Sequence, residues 1–305
     1  MQLGFVGLGR MGGNMLRRLA QGGIAVTGWD RDSQTTAALA EEAGFEPPTS
    51  LERLVARLEP PRVVWLMLPA GPATGDAVES LRAHLGPGDV VVEGANSNFN
   101  DSMARARRLA ETGVGFVDAG VSGGVWGLAN GYALMVGGER EHVETVVPFL
   151  RALAPGADTG WLHCGPAGSG HFVKMVHNGI EYGMMQAYAE GFALMKARED
   201  FGLDLAAIAE TWRHGSVVRS WLLDLTAEFL ATDATLEGVA PHVADSGEGR
   251  WTVIEALQRG VPVPVIAAAL MTRQASRGGG DYGARVLAMM RNAFGGHPFG
   301  RGGGG

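Results

Sequence analysis

From the N-terminus to about residue 165, short apolar and β-branched runs alternate with longer stretches in which apolar positions recur every three or four residues. The first pattern suits strands buried in a sheet and the second suits amphipathic helices, so their alternation reads as stacked βαβ units. Strands are predicted near 3–6, 25–29, 63–68, 89–92, 115–118, 133–136 and 160–163, with helices at 11–21, 34–42, 73–84, 102–111 and 141–153. After Pro166 the strand pattern stops, and 168–197 reads as one helix about 45 Å long. Further helices are predicted near 204–213, 218–230, 250–259, 263–275 and 283–293. The expected fold class is α/β, with a sheet domain at 1–166 followed by an all-α domain at 167–305 that ends in a flexible Gly-rich tail.

The first strand runs into Gly7-Leu8-Gly9-Arg10-Met11-Gly12, a G-x-G-x-x-G turn that opens a helix. Glycines in this pattern allow a tight turn, close approach of backbone to a pyrophosphate, and close helix–strand packing, while the helix N-terminus offers N–H groups to the anion. The second strand ends at Asp30, twenty-one residues after Gly9, where a carboxylate can accept both hydroxyls of an adenosine ribose. The sheet domain is therefore expected to be a Rossmann-type dinucleotide-binding domain. Asp30 would repel the 2′-phosphate of NADP, which favours NAD; Arg31 leaves NADP open, since its guanidinium suits that phosphate or the adenine face.

Composition narrows the partners. The chain has 305 residues, is 46% hydrophobic, and carries a net charge of -7, which argues against a nucleic-acid or membrane-surface binder and for a small-molecule partner. Its single cysteine, Cys164, excludes an internal disulfide and a cysteine metal cluster, so no metal is expected and a reducing cytoplasm fits. No apolar run reaches the eighteen or so residues that a membrane span needs, and no signal peptide is expected.

The long helix carries Lys174, His177, Asn178, Glu181 and Tyr182 at the spacing of one helical face. Phe172, Val173, Met175, Val176, Ile180, Met184 and Met185 are expected to pack into the core, leaving the polar stripe to line water or a ligand. Gly179 and Gly183 each cost up to about 1 kcal/mol relative to Ala within a helix, so something is expected to approach the backbone there. Two loops at predicted strand ends, Glu93-Gly94-Ala95-Asn96-Ser97 and Val121-Ser122-Gly123-Gly124, lie where α/β sheets place their ligands. Between Met271 and Gly305, five arginines (273, 277, 285, 291 and 301) face one acid, Asp281, a cationic stretch that suits an anionic ligand.

Together these residues resemble the 6-phosphogluconate dehydrogenase family, in its short bacterial-type form. The resemblance runs from residue 1 to about 299 and is most specific in Gly170-His171-Phe172-Val173-Lys174-Met175-Val176-His177-Asn178-Gly179-Ile180-Glu181-Tyr182 and in Arg291-Asn292-Ala293-Phe294-Gly295-Gly296-His297. It implies oxidative decarboxylation of 6-phospho-D-gluconate to ribulose 5-phosphate and CO2, a pentose phosphate and gluconate-utilisation reaction, by a homodimer or a dimer-based tetramer. Lys174 is implied as the general base at the 3-hydroxyl and Glu181 as the acid that protonates C1 of the enediol. Asn96, Ser122, Gly123, Gly124, His177 and Asn178 are implied to hold the sugar acid, and Tyr182, Arg291 and His297 its phosphate, the last two from the partner subunit. The cofactor set implied is the glycine turn with Asp30, Arg31, Leu68, Pro69, Ala70 and Asn96. The chemistry requires a lysine brought below its ordinary pKa of about 10.4 and a glutamate raised above about 4.3, which burial beneath a dinucleotide would do.

The chain departs from longer members at Pro69-Ala70-Gly71, Glu93-Gly94-Ala95, the third residue of its glycine turn, and the 245–252 loop, where Ser246 and Glu248 stand in place of substrate-facing residues. Arg219 and Arg250 are candidates to compensate. The alternative reading is a β-hydroxyacid dehydrogenase or reductase on the same architecture, which shares the Ser-Gly-Gly loop and Lys174 but has no use for Glu181.

Overall fold

The structure is a computed structural model that describes residues 2–278 and Val286. It divides into two compact units between His177 and Asn178. In the first unit β1 (Gln2–Val6), α1 (Arg10–Gln21), β2 (Ala25–Trp29), α2 (Ser33–Ala43), α3 (Leu51–Val55), β3 (Val63–Leu66), α4 (Pro72–Arg82), β4 (Val90–Glu93), α5 (Phe99–Ala110) and β5 (Gly115–Ser122) follow in order. A short 3-10 turn and α6 (Gly127–Asn130) lead to β6 (Ala133–Gly138), α7 (Arg140–Leu153), β7 (Trp161–Gly165) and the long helix α8 (Ser169–Ala197), inside which the division falls.

The seven strands form one sheet in the order β2-β1-β3-β4-β5-β6-β7. β1 to β5 are parallel, and β3 and β4 are buried at every position, as strands covered by helices on both faces must be. One core layer holds Phe5, Met15, Leu16, Leu19, Val146 and Phe149; the opposite layer holds Leu54, Val64, Leu66, Val78, Leu81 and Leu109. The chain therefore builds a Rossmann-type doubly wound sheet followed by helices. Its topological switch lies at β1, which pairs with β2 on one side and β3 on the other, so the carboxyl ends of these strands flank a crevice.

Several strand ends differ from the sequence expectation, those of β3 and β5 among them. β3 stops at Leu66, leaving Met67 and Leu68 in the loop, and β5 continues four residues past Asp118 to Ser122. The extension exists because β6 returns antiparallel along it, pairing Ala119 with Val136 and Ser122 with Ala133. The link from Gly123 to Tyr132 is too short for a crossover to a parallel neighbour and makes an antiparallel return instead. α3 was not anticipated, since five residues show no helical period; Ser50 caps it by accepting from the Arg53 N–H.

The second unit contains the C-terminal part of α8, then α9 (Leu205–Arg213), α10 (Trp221–Thr232), α11 (Glu248–Arg259) and α12 (Pro264–Ala275), with no strand among its described residues. α10 begins three residues later than expected because Ser220 caps it at the Leu223 N–H. One small core joins Leu205, Ala209, Leu223 and Leu230 to Tyr188 and Phe192; another joins Tyr182, Ala269 and Leu270. The glycines of α8 find their explanation here. A Cβ on Gly179 would lie 2.8 Å from Thr252 Cγ2, and one on Gly183 would lie 3.3 Å from Val265, so α11 and α12 are what approach the backbone. Of the helix expected near 283–293 only Val286 is among the described residues; Arg291 and His297 lie outside them. Among the described residues no helix is long and apolar enough to cross a membrane.

Candidate active site

At the switch point, Gly7 takes φ +90°, a conformation costly for any residue with a Cβ. A Cβ on Gly12 would stand 1.9 Å from the Gly7 carbonyl oxygen, so only glycine lets α1 start this close to β1. α1 then begins at Arg10 with Gly9 as its N-cap and no side chain capping it, which leaves first-turn N–H groups for an anion. A cleft of about 460 Å3 opens beside this turn, lined among others by Gly9, Asp30, Arg31, Leu68, Pro69 and Asp76. Leu8 is buried, Arg10 and Ala70 are exposed, and Met11 is half-buried. These features fit the pyrophosphate and ribose of a dinucleotide.

Asp30 does more than the spacing argument allows. Its Oδ2 accepts the Leu8 N–H at 2.8 Å and its Oδ1 accepts the Asp32 N–H at 2.9 Å, so this carboxylate ties the glycine turn to the end of β2. Each oxygen keeps a second lone pair for a ribose hydroxyl. Sequence reasoning missed Asp76, which brings a second carboxylate to the cleft from the second turn of α4; only the tertiary fold reveals it.

The two strand-end loops singled out from sequence have different fates. Glu93 ends β4 fully buried and is paired with Arg105 at 2.6 Å; Arg105 also donates to Ser97 Oγ and to the Gly71 carbonyl, each at 3.3 Å. Burial pushes the Glu93 carboxyl up, and Arg105 opposes this. Glu93 thus braces the loops rather than facing a ligand. Asn96 sits at φ +49°, an uncommon conformation that only a constrained site holds. Its Oδ1 accepts the Val121 N–H at 3.1 Å and its Nδ2 lies 3.4 Å from the Val121 carbonyl, so the Asn96 amide pins the β4 loop to β5. Ser122 closes β5, and Gly123 and Gly124 follow at φ +138° and +53°.

Lys174 is buried on α8, 5% exposed. A Cβ on Gly120 of β5 would stand 2.4 Å from the Lys174 Cβ, so Gly120 is the seat on which this lysine rests. Lys174 Nζ is 3.4 Å from His177 Nδ1, and His177 Nε2 is 3.5 Å from Ser122 Oγ. The structure therefore brings Lys174, His177 and Ser122 together, three of the residues singled out from sequence. Asn178 and Glu181 are half-buried further along α8. The expected division of helix faces is overturned in part: Val173, Ile180 and Met184 are exposed while Lys174 and Tyr182 are buried. Apolar residues occur all round α8, so periodicity could not tell its inner face.

Within the second unit, Tyr182 Oη lies 3.5 Å from Ser246 Oγ, and the Arg273 guanidinium lies 3.6 Å above the Tyr182 ring. Arg273 entered the sequence reading only as part of a basic stretch; it is a half-buried cation beside a residue implied in phosphate binding. Arg250 pairs with Asp245 at 2.6 Å, and Gln274 also donates to that carboxylate at 2.8 Å. Arg250 is therefore already neutralised. Ser246 donates to Glu248 at 2.5 Å, which accounts for both polar residues of this loop.

Comparison with known proteins gives the same answer in both parts of the chain. Residues 2–165 match the NAD binding domain of 6-phosphogluconate dehydrogenase, and residues 170–289 match the 6-phosphogluconate dehydrogenase C-terminal domain. The NAD(+)-dependent, decarboxylating 6-phosphogluconate dehydrogenase of Haloferax volcanii is 44% identical over 302 residues, covering 99% of each chain. The decarboxylating enzyme of Staphylococcus aureus is 37% identical over 89% of this chain, which spans 60% of that longer protein. The Plasmodium falciparum 6-phosphogluconate dehydrogenase structure aligns with 97% of this chain and 65% of its own, at TM-score 0.84 and 29% identity. A 3-hydroxyisobutyrate dehydrogenase of Mycobacterium tuberculosis shares the fold at TM-score 0.72 and 24% identity. With 44% identity along its full length and a matching profile for each half, the chain belongs to the 6-phosphogluconate dehydrogenase family.

Proposed function

We propose that this protein catalyses the oxidative decarboxylation of 6-phospho-D-gluconate to ribulose 5-phosphate and CO2 with NAD as the preferred acceptor. The observation that carries the reading is the buried Lys174, seated on Gly120 beside His177 and Ser122, on the helix that also bears Glu181 two turns onward. Lys174 in its neutral form takes the proton of the 3-hydroxyl as hydride leaves C3, for which NAD held at the glycine turn and Asp30 would supply the acceptor. The β-keto acid so formed loses CO2, protonated Lys174 balances the enolate oxygen, and Glu181 delivers a proton to C1 of the enediol. Ser122, Gly123, Gly124, Asn96, His177 and Asn178 hold the sugar acid. Tyr182 and Arg273 hold its phosphate together with Arg291 and His297, which lie outside the described residues.

NAD preference is supported by the two carboxylates, Asp30 and Asp76, that line the dinucleotide cleft. Because Asp30 also anchors Leu8, Asp30→Ser is expected to raise the Kd for NAD about tenfold, roughly 1.4 kcal/mol, and the Kd for NADP less, narrowing the ratio. An unchanged Kd for NAD would show that Asp30 serves neither the ribose nor the turn. Arg273→Ala is expected to raise KM for 6-phosphogluconate about tenfold or more, since a charge-assisted contact to a phosphate is lost, with KM for NAD unmoved. The opposite pattern would remove Arg273 from the phosphate site.

We further infer a homodimer or dimer-based tetramer acting in the cytoplasm, in the pentose phosphate pathway. Leu194, Leu257, Val265 and Met271, each more than 60% exposed, support an apolar interface between copies. A substrate panel tests the whole reading: NADH formation from 6-phosphogluconate supports it, and turnover of 3-hydroxyisobutyrate alone would transfer the protein to the β-hydroxyacid dehydrogenases.

A further inference from the structure

Asp118 is fully buried on β5, yet none of the roles above uses it. Its Oδ1 accepts the Gly168 N–H at 2.6 Å and its Oδ2 accepts the His171 N–H at 2.7 Å, so one carboxylate closes the first turn of α8 from the neighbouring sheet. A Cβ on Gly170 would stand 2.6 Å from the Asp118 carbonyl oxygen and 2.4 Å from that of Met135, which shows how flush this turn lies on β5 and β6. Side chains at 118, 120 and 122 share one face of β5, because successive strand residues alternate. They meet α8 at three consecutive rungs: Asp118 at His171, Gly120 at Lys174, and Ser122 at His177. The first rung is the tightest, and it is the one made of charge-assisted hydrogen bonds.

We propose that Asp118 is a positioning residue that sets the register of α8 on β5 and thereby places Lys174 over Gly120. The inference rests on the reading of Lys174 as the general base. A carboxylate suits the task for two reasons. It offers an acceptor to each of two backbone N–H groups, and its negative charge faces the positive end of the helix. Asparagine keeps one acceptor and turns an NH2 group toward the other N–H, so it cannot replace both bonds. A slip of one residue would rotate Lys174 by about 100° away from its seat. Burial pushes the Asp118 carboxyl up to about 6 against the pull of the His171 and Gly168 N–H groups. His171 itself is held neutral by burial, near 3, with Nδ1 2.7 Å from Ser102 Oγ.

The test uses the full-length wild type, Asp118→Asn and Gly120→Ala with 6-phosphogluconate and NAD. Asp118→Asn is expected to lose kcat by about 10²-fold, the cost of a misplacement on the order of 1 Å, with KM for NAD within twofold of wild type. Amide hydrogen exchange is expected to quicken at least about tenfold at Gly168 and His171 and not in β3 or β4, a local change that general destabilisation would not produce. Gly120→Ala leaves Asp118 intact and displaces Lys174 from the other side, so it is expected to lose kcat likewise and carries the test if Asp118→Asn does not fold. A folded Asp118→Asn or Gly120→Ala with wild-type kcat would overturn the proposal, as would unchanged exchange at Gly168 and His171. Absence of turnover in the wild type would instead refute the functional reading, and the exchange measurement would still decide the register.

Discussion

Lys174→Met is expected to abolish turnover while NAD still binds. Lys174 is nearly fully buried with its Cβ against Gly120, so the replacement must preserve volume or the seat collapses and any loss becomes ambiguous. Methionine does this: its unbranched chain follows the lysine stem, and its thioether can neither take a proton nor carry the charge that stabilises an enolate. Positioned acid–base catalysis contributes about 10² to 10⁴ in rate, so kcat is expected to fall by at least about 10²-fold. The cofactor cleft is lined by the glycine turn, Asp30 and the Leu68-Pro69 loop, and the Kd for NAD is expected to stay within twofold. Retention of more than a few per cent of kcat would remove Lys174 from the chemistry.

Glu181→Gln is expected to separate the steps. Glu181 lies seven residues beyond Lys174, two turns onward on the same helix α8. Glutamine keeps the shape and loses the proton, so in a single turnover NADH is expected to form near the wild-type rate while ribulose 5-phosphate appears about 10²-fold more slowly. Equal slowing of both would make Glu181 part of substrate binding or of the oxidation, and would count against a late acid.

Much of this site could be read from the chain before folding, and the exceptions share a cause. The glycine turn, Asp30 and the Lys174–Glu181 spacing are legible because each depends on local geometry, a strand-turn-helix or a single helical face. β5 was read as ending at Asp118, and the strand character of Ala119-Gly120-Val121-Ser122 comes from β6 pairing along it. Gly179 and Gly183 were read as room for something near the backbone, and the occupants are Thr252 and Val265, some seventy to eighty residues away in sequence. Likewise Asp76, Arg273 and Asp118 carry no local signature. Each acquires meaning only from a partner brought by tertiary structure: the cleft beside Asp30, the ring of Tyr182, the first turn of α8. Glu93 illustrates the reverse, a strand-end carboxylate that looked available for a ligand until the fold buried it against Arg105.

The central claim is that oxidation is followed by loss of carbon dioxide, and that separates this reading from a dehydrogenase that merely shares the fold. The direct measurement supplies the wild-type protein with 6-phosphogluconate labelled at C1 and with NAD, and follows NADH and released CO2 in the same reaction. The account predicts that the two appear in equal amounts from the first turnovers onward, with ribulose 5-phosphate as the sugar product. NADH accumulating without labelled CO2 would contradict it.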